Sequence, residues 1–317
     1  MRAVFLDYET VSKGDLDISG LTGVMPGLQI HGSTSDSEIA GRIADAEIVL
    51  LNNFVLTRAL MHGAERLKLI ALAATGTDNV DLTAARERAV GVCNVSGYCS
   101  RSVMQQVWAM ILGLTQRLDH YTRLAKNGSW ERSEAFDYFT HPIRELTGRT
   151  FGVVGWGELG RAAAGAAEAF GMRVVIANRP GGAHEPGRFD LDQVLAMSDV
   201  VSLHCPLNEA TRGLIGTREL ALMKPDALLI NTARGGLIDS HALAAALKAH
   251  RLGGAGIDVL PQEPPVDGDP LLDPDVPNLL LTPHVAWAAR EARQRCLDEI
   301  AANVRDFLMG GRRGRVV

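Results

Sequence analysis

Three ionisable side chains follow three apolar runs that are typical of buried strands. Arg234, Glu263 and His284 come after the runs at 228–231, 255–258 and 279–282, respectively. The carboxyl ends of parallel strands lie at one edge of a sheet, so these residues can converge although they are distant in sequence. Arginine offers a planar fork for a carboxylate, and histidine beside a carboxylate can exchange a proton near neutral pH. Singly each can be a surface charge, a loop residue or a helix cap, but together they predict an active site.

A glycine-rich stretch predicts the second half of such a site. An apolar run at 151–155 leads into Gly155, Gly157 and Gly160 in the pattern G-x-G-x-x-G, and an alanine-rich helix and a run at 172–177 follow. Gly155 permits a tight turn, Gly157 lets the backbone approach phosphates, and Gly160 lets the helix pack on the sheet. The pattern alone is weak evidence, but here it has the strand, helix and second strand around it. The stretch therefore predicts a dinucleotide-binding loop rather than a plain packing turn.

The residues after the second of these strands indicate which dinucleotide is bound. Enzymes that use NAD normally place Asp or Glu there, which binds the ribose hydroxyls and repels a 2′-phosphate. This chain has Asn178, Arg179 and Pro180, and Arg188 lies further along the loop. Asn178 can bond a ribose without repelling a phosphate, and Arg179 can pair with one. The sequence predicts that NADP(H) is preferred and NAD(H) possible, unless Arg179 stacks on the adenine or faces solvent.

Further apolar runs predict the sheets that position these residues. Runs at 3–6, 48–51, 69–73 and 91–95 alternate with helical stretches such as Ser37–Ala46 and Thr57–Ala64, and a run at 200–203 precedes the three named first. Strands that alternate with helices predict an α/β fold with mostly parallel sheets. The second domain then has about six strands, the number that the doubly wound dinucleotide fold requires.

Helix boundaries and domain order follow from the same scan. The predicted helices are Arg101–Arg123 with Ser100 as N-cap, Leu191–Met197, His241–His250 with Ser240 as cap and Gly253 just past its end, and Ala288–Met309 with Gly310 as its stop. The last helix is surplus to a six-stranded domain, so we expect it to return to the first one. Residues 1–98 plus 287–317 are then the substrate (catalytic) domain, and 99–286 are an inserted dinucleotide-binding domain. The two crossings between them predict a cleft, a usual place for a ligand.

Composition excludes several functions. The chain has 317 residues, 46% hydrophobic and 22% charged, and a formal net charge of -5. These values are typical of a two-domain globular protein and do not favour a nucleic-acid partner. No signal-peptide layout and no run long enough to span a bilayer is present, so we expect no membrane association and a cytoplasmic protein. The four cysteines form no C-x-x-C pair and the nine histidines no convincing cluster, so reduced thiols and no metal are predicted.

The chain resembles the D-isomer-specific 2-hydroxyacid dehydrogenases over nearly its whole length. The matching segments are Thr75-Gly-Thr-Asp-Asn-Val-Asp81, Gly155-Trp-Gly-Glu-Leu-Gly160, Leu203-His-Cys-Pro-Leu207, Asn231-Thr-Ala-Arg-Gly235, Gly254-Ala-Gly-Ile-Asp258, Glu263-Pro264 and Thr282-Pro-His284. Several independent motifs in the right order are highly specific. Thr282-Pro-His-Val-Ala-Trp287 and Phe136-Asp-Tyr-Phe139 look most like the glycerate dehydrogenase branch, that of hydroxypyruvate and glyoxylate reductases.

The resemblance implies an enzyme that reduces a small 2-keto acid, of the glyoxylate or hydroxypyruvate type, to the D-2-hydroxy acid with NAD(P)H. It implies that Arg234 clamps the substrate carboxylate, and that His284 contacts the substrate as acid/base while Glu263 pairs with it. It places the backbone N–H groups of Thr75 and Gly76 on the substrate across the cleft, with a simple turn as the alternative. Further cofactor contacts carried over are Glu158, Leu159, Cys205, Pro206, Thr211, Thr232, Ala233 and Asp258.

Several points stay open within that resemblance. Cys205 is expected as a backbone contact rather than a reactive thiol, and Asp258 can equally be a strand-end residue that caps a loop. The implied fold is two doubly wound parallel-sheet domains, a Rossmann domain inserted into a flavodoxin-like one. The implied assembly is a homodimer that meets through residues 101–145. The alternatives are a dehydrogenase of a phosphorylated 2-hydroxy acid, or a cofactor-sensing corepressor-like binding protein.

Overall fold

The computed structural model describes all 317 residues, which fall into two compact units. One unit is Met1–Cys99 with Trp287–Val317, and the other is Ser100–Ala286. The strands are β1 (Ala3–Phe5), β2 (Leu28–Ile30), β3 (Ile48–Leu51), β4 (Leu69–Leu72), β5 (Gly91–Cys93), β6 (Thr150–Val154), β7 (Arg173–Ile176), β8 (Val200–Leu203), β9 (Leu228–Asn231), β10 (Gly254–Ile257) and β11 (Leu279–Leu281). The helices are α1 (Ser19–Val24), α2 (Asp36–Ile43), α3 (Arg58–Gly63), α4 (Leu82–Glu87), α5 (Ser100–Thr115), α6 (Leu118–Lys126), α7 (Glu158–Ala169), α8 (Leu191–Met197), α9 (Thr217–Leu222), α10 (Ser240–Lys248) and α11 (Arg290–Leu308).

The first unit is one five-stranded parallel sheet with helices on both faces. Its strand order is β2-β1-β3-β4-β5, so the order of the strands reverses between β1 and β3. Successive side chains of a strand point to opposite faces. Ala3 and Phe5 accordingly lie in the core under α1 and α11, whereas Val4 lies in the core under α2, α3 and α4. This strand order is that of flavodoxin-like folds.

The second unit is one six-stranded parallel sheet in the order β11-β10-β9-β8-β6-β7. Beyond β7, Phe189 makes a single parallel bridge with Ala177. That bridge lies where the doubly wound dinucleotide fold has its third strand. The order of the strands reverses between β6 and β8. Both sheets are parallel and both are covered by helices, so the predicted fold class is confirmed.

The long helix predicted over Arg101–Arg123 is in fact two helices. The first ends at Thr115 and the second begins at Leu118. The break lies at Arg117, which adopts a left-handed φ of 53°, and its guanidinium donates to the side chain of Asn278. Ser100 is the first helical residue rather than the N-cap, and its hydroxyl donates to the carboxylate of Glu158.

Two other helix ends test the sequence predictions. The cap of α10 is Asp239, whose side chain accepts from the Ala242 N–H, and the left-handed residue after this helix is His250 rather than Gly253. The predicted cap, Ser240, donates to Asp269 instead. Helix α11 and its stop at Gly310, which has a φ of 84°, are confirmed. None of the helices combines the length and apolar character that a membrane span requires.

Candidate active site

The glycine loop between β6 and α7 requires glycine at two positions for reasons internal to the protein. Gly155 has a φ of 104°, and a Cβ there would lie 2.5 Å from the backbone carbon of His204. A Cβ on Gly160 would lie 2.0 Å from the carbonyl oxygen of Gly155. The loop therefore turns against the end of β8, and α7 packs directly on the turn.

Gly157 differs, because a Cβ on it would meet no protein atom within 4 Å. It is the N-cap of α7, and Glu158 and Leu159 are the first helical residues. Backbone N–H groups at a helix start attract phosphate, and a side chain at Gly157 would occupy the space where a ligand approaches them. Packing does not explain this glycine, so the loop fits a pyrophosphate-bearing cofactor.

The strand ends beside the loop hold the other predicted cofactor residues. Burial raises the pKa of the Cys205 thiol to about 11, so this side chain stays a thiol at neutral pH. The Thr211 hydroxyl donates to the Pro206 carbonyl at 2.7 Å and accepts from the Asn208 N–H, which ties this loop to itself. The Thr232 hydroxyl is buried without any hydrogen-bond partner. An orphaned donor at this edge again fits a site built for a polar ligand.

The loop after β7 is arranged differently from the sequence expectation. The Asn178 amide donates to Asp190 Oδ1 at 3.1 Å and accepts from the Glu185 N–H at 3.0 Å, so it braces the loop. Asp190 follows the single bridge residue of the third strand, and no feature of the sequence placed this carboxylate beside Asn178. Arg188 pairs with Glu185 at 2.6 Å.

Arg179 and Pro180 begin the same loop. Arg179 is exposed, and no carboxylate of the protein pairs with its guanidinium. Pro180 is half-buried, and the Arg179 carbonyl accepts from the Gly182 N–H at 2.8 Å to close a turn. Of the two arginines in this loop, Arg179 is therefore the one that an external phosphate can reach.

Glu263 and His284 lie on the segments that follow β10 and β11, and the structure brings their side chains together. Glu263 Oε2 is 2.6 Å from His284 Nδ1, and Glu263 Oε1 accepts the Leu260 N–H at 2.8 Å. The two side chains are 33% and 38% exposed, respectively, so the pair is accessible to a substrate. A carboxylate on Nδ1 orients the ring of a histidine.

Arg234 and Asp258 lie in the segments that follow β9 and β10, two adjacent parallel strands. The buried Asn231 amide donates to the Arg234 carbonyl at 2.9 Å and accepts from the Ala233 N–H at 3.0 Å, so it shapes the turn that carries the arginine. Arg234 Nη1 donates to the Ala233 carbonyl. Asp258 is fully buried and accepts from residues 282–286.

Thr75 and Gly76 follow β4 in the first unit. The Thr75 hydroxyl donates to the Val95 carbonyl at 2.7 Å, and the Thr75 carbonyl accepts from the Asn94 amide at 2.6 Å. Neither backbone N–H donates to another group of the protein. The turn therefore presents two unused donors, which is what an anionic ligand requires.

Comparison with known proteins decides the family. Residues 108–286 match the model described as "D-isomer specific 2-hydroxyacid dehydrogenase, NAD binding domain". The chain is 40% identical to a glycerate dehydrogenase of Methylorubrum extorquens over 98% of this chain and 96% of that protein. It belongs to the D-isomer-specific 2-hydroxyacid dehydrogenase family.

Two further relatives span at least 98% of the chain. A hydroxypyruvate reductase of Blautia hydrogenotrophica is 33% identical over 98% of both chains. A solved acyclic imino acid reductase in complex with NADPH and D-Arg superposes with a TM-score of 0.88 at 26% identity and covers 100% of both chains. The protein is accordingly an oxidoreductase that acts on CH–OH donors with NAD(P).

Proposed function

We propose that this dehydrogenase reduces a small 2-keto acid, glyoxylate or hydroxypyruvate, to the D-2-hydroxy acid with NADPH in preference to NADH. The observation that carries the proposal is the Glu263–His284 pair at the carboxyl edge of the sheet that bears the dinucleotide loop. The names of the relatives, glycerate dehydrogenase and hydroxypyruvate reductase, support the choice of substrate.

Each polar group has a role in that reaction. When bound, the reduced nicotinamide supplies the hydride for the carbonyl carbon. Arg234 clamps the substrate carboxylate with its planar fork, and the backbone N–H groups of Thr75 and Gly76 are proposed as further substrate contacts. His284 gives its proton to the carbonyl oxygen, and Glu263 holds the ring and balances the charge of the protonated imidazole.

The cofactor would be held by the second unit. Gly155, Gly157 and Gly160 with Glu158 and Leu159 would receive the pyrophosphate at the start of α7. The remaining contacts would come from Asn178 to Pro180, Cys205, Pro206, Thr211, Thr232, Ala233 and Asp258. Arg179 supports the preference for NADPH because it is exposed and unpaired, whereas Asp190 works against a 2′-phosphate. We infer that the arginine outweighs the carboxylate, since an Arg–phosphate pair is bidentate.

We also propose that the chain works as a homodimer through residues 101–145. Phe136 and Phe139 in this segment are 89% and 77% exposed, and Trp130 is 52% exposed. Aromatic side chains are enriched at protein–protein interfaces relative to the rest of the surface. Light scattering of the wild type and of Phe136→Ser/Phe139→Ser would test this, with a dimer expected for the first and a monomer for the second.

One assay tests the function. Loss of the reduced-nicotinamide absorbance is followed with NADPH and with NADH against glyoxylate, hydroxypyruvate, pyruvate and 3-phosphohydroxypyruvate. Turnover of the first two with NADPH is expected. Turnover confined to the phosphorylated acid would make the protein a dehydrogenase of that substrate. Tight NADPH binding without any turnover would make it a cofactor-sensing binding protein.

A further inference from the structure

A cavity of about 90 Å³ lies at the edge of the second sheet opposite the glycine loop. Its lining includes Arg149, Asp199 and Gly253, which directly precede β6, β8 and β10, whereas the glycine loop directly follows β6. The cavity is therefore at the amino ends of the strands, away from the edge where cofactors bind in such sheets. Its volume is several times the space that one water needs, so a small ion fits in it.

Arg117 brings a positive charge to this cavity that no carboxylate of the protein balances. The residue is half-buried, and its guanidinium donates to the neutral side chain of Asn278. Burial lowers the pKa of Arg117, and the positive charge of Arg144, which lines the same cavity, lowers it further. A partly desolvated cation beside a like charge is unfavourable until an anion approaches both. The two arginines therefore indicate an anion site.

The carboxylates at this cavity are already bound within the protein. The charged side chains that line or adjoin it are Arg117, Arg144, Arg149, Lys224, Asp199 and Asp226, four cations against two anions. Asp199 accepts the Thr150 N–H at 2.7 Å and pairs with Lys224 at 2.9 Å, and Asp226 pairs with Arg144. Each guanidinium has five N–H donors, so these pairs leave donors for a ligand. The excess of two positive charges favours a dianion.

Helix ends and apolar walls complete the surroundings of this cavity. Helix α5 ends at Thr115, and α6 begins after its N-cap Arg117. The negative end of one helix dipole thus meets the positive end of the next, so the two largely cancel for an anion bound there. Leu114, Leu146 and Leu228 form apolar parts of the wall. Low-dielectric walls strengthen the attraction between the arginines and an anion.

We propose that this cavity binds a phosphate group, free or carried by a small phosphomonoester, between Arg117, Arg144 and Arg149. A guanidinium binds phosphate through two parallel N–H···O bonds, and a phosphomonoester carries a charge of about −1.5 to −2 at pH 7. The inference does not depend on the proposed reaction. The 16 residues of α5 span roughly 24 Å between this cavity and Ser100, which donates to Glu158 beside the glycine loop. Phosphate and dinucleotide should therefore bind together.

Isothermal titration calorimetry with inorganic phosphate measures the site directly. We expect one phosphate per chain with a dissociation constant on the order of 1 mM or below, unchanged when NADPH or NADH is present. Potassium chloride at equal ionic strength is the control for screening. Glycerol 3-phosphate is titrated in parallel. Tighter binding of the free ion identifies phosphate itself as the ligand, and tighter binding of the ester identifies a small phosphomonoester.

Arg117→Gln should weaken phosphate binding by about tenfold or more, because it removes the unbalanced charge and its fork. The matched control is Arg123→Gln on α6. It removes the same charge from an exposed arginine that pairs with Asp119 and does not line the cavity, so phosphate affinity should stay within about twofold of the wild type.

Asp226→Asn should have the opposite effect. It releases Arg144 and removes a negative charge from the cavity wall, so phosphate should bind roughly two- to fivefold more tightly. Asp192→Asn, which removes the exposed partner of Arg218 elsewhere in the same unit, should leave the affinity unchanged. A gain in affinity does not arise from a damaged fold, so this variant decides the matter even if Arg117→Gln does not fold.

Three outcomes would overturn the proposal. The first is a phosphate titration that does not differ from the chloride control. The second is competition between phosphate and either dinucleotide, which would place the phosphate at the cofactor loop. The third is an affinity equal to that of the wild type in Asp226→Asn and in any folded Arg117→Gln, which would mean that these side chains do not hold the ion.

Discussion

Both sheets of this chain are parallel and doubly wound, but they carry different residues at the point where the strand order reverses. In the first sheet that point lies between β1 and β3, and Asp7 fills it. The Asp7 carboxylate accepts the Asn52 N–H at 2.9 Å and the Asn53 N–H at 2.7 Å. In the second sheet it lies between β6 and β8, and Gly155 begins it with no side chain. Parallel sheets bind ligands at such points, yet here one is closed by the protein's own anion.

The difference shows that the residue at the end of one strand decides whether the backbone N–H groups at that sheet edge are bound within the protein or stay open to a ligand. Asp7 uses the free N–H groups of its edge, whereas the start of α7 keeps its N–H groups open beside Gly157. The first unit offers its donors elsewhere, at Thr75 and Gly76 after β4. A fold by itself therefore does not locate its site, and the strand-end residues must be examined one by one.

His284→Ala should have the largest effect, because we propose that His284 supplies the proton of the reaction. Removal of a general acid costs about 10²–10⁴-fold in kcat. Cofactor affinity should stay nearly intact, since the glycine loop is unchanged. Steady-state kinetics and a fluorescence titration check both, and His241→Ala, on the exposed side of α10, is the control. Near-wild-type turnover would remove His284 from the mechanism.

Gly157→Val should close the second edge as Asp7 closes the first. The new side chain fills space that is open in the protein, so the fold should survive, but it blocks the approach of phosphate to the backbone. Loss of one charge-assisted bond of about 1.5–3 kcal/mol predicts a roughly 10–100-fold weaker NADPH affinity. Gly165→Val, at another open position of α7, should bind NADPH normally. Equal affinities in the two variants would contradict the phosphate cradle.

Arg234→Lys tests whether the planar shape of the guanidinium or only its positive charge is needed at the second sheet edge. Lysine keeps the charge and loses the bidentate fork, so kcat/KM for the keto acid should fall by about tenfold or more. The matched control is Arg218→Lys on α9, because Arg218 pairs with Asp192 of α8. A change of less than about twofold at Arg234 would mean that it is not the clamp.

Sequence alone predicted the strands well, because buried parallel strands are continuous apolar runs. It missed β2, a half-exposed edge strand with Gln29 at its centre. The break at Arg117 also escaped, since the side chain that receives its guanidinium, Asn278, lies 161 residues away. The prediction that Arg234, Glu263 and His284 follow strands of one sheet agrees with their positions after β9, β10 and β11, while their chemical roles stay predictions. Asp190 was not predicted, because its strand is reduced to one bridge, and the contacts of the Asp258 carboxylate exist only in the folded turn.

Arg179→Ala tests the cofactor preference at the rim of the second edge. If Arg179 holds a 2′-phosphate, its loss should erase most of a roughly tenfold preference for NADPH while NADH kinetics change little. Arg188→Ala is the control in the same loop, since Arg188 already pairs with Glu185. Comparison of kcat/KM for both cofactors decides it. A wild-type enzyme that favours NADH would mean that Asp190 prevails over Arg179.

Asp7→Asn should have the smallest effect, confined to stability and dependent on pH. Burial raises the pKa of the Asp7 carboxyl above its ordinary value, although N–H groups of residues 52–54 oppose this. An acid with a raised pKa in the folded state stabilises the fold while protonated, and that contribution is lost as the pH rises through the folded pKa. Asparagine cannot ionise. The Tm of the wild type minus that of Asp7→Asn should therefore decrease as the pH rises from about 4 to 7, by a few degrees at most.

Asp17 supplies the opposite sign as a control. Hydrogen bonds from the Ser19 N–H and hydroxyl lower the pKa of this exposed carboxyl. Its contribution is present above the ordinary pKa and is lost as the pH falls, so the Tm of the wild type minus that of Asp17→Asn should increase with pH. Thermal unfolding of the three proteins across this range at constant ionic strength gives both slopes. If the Asp7 difference also increases with pH, the backbone N–H bonds outweigh burial, and the first edge then prefers an anion just as the second does.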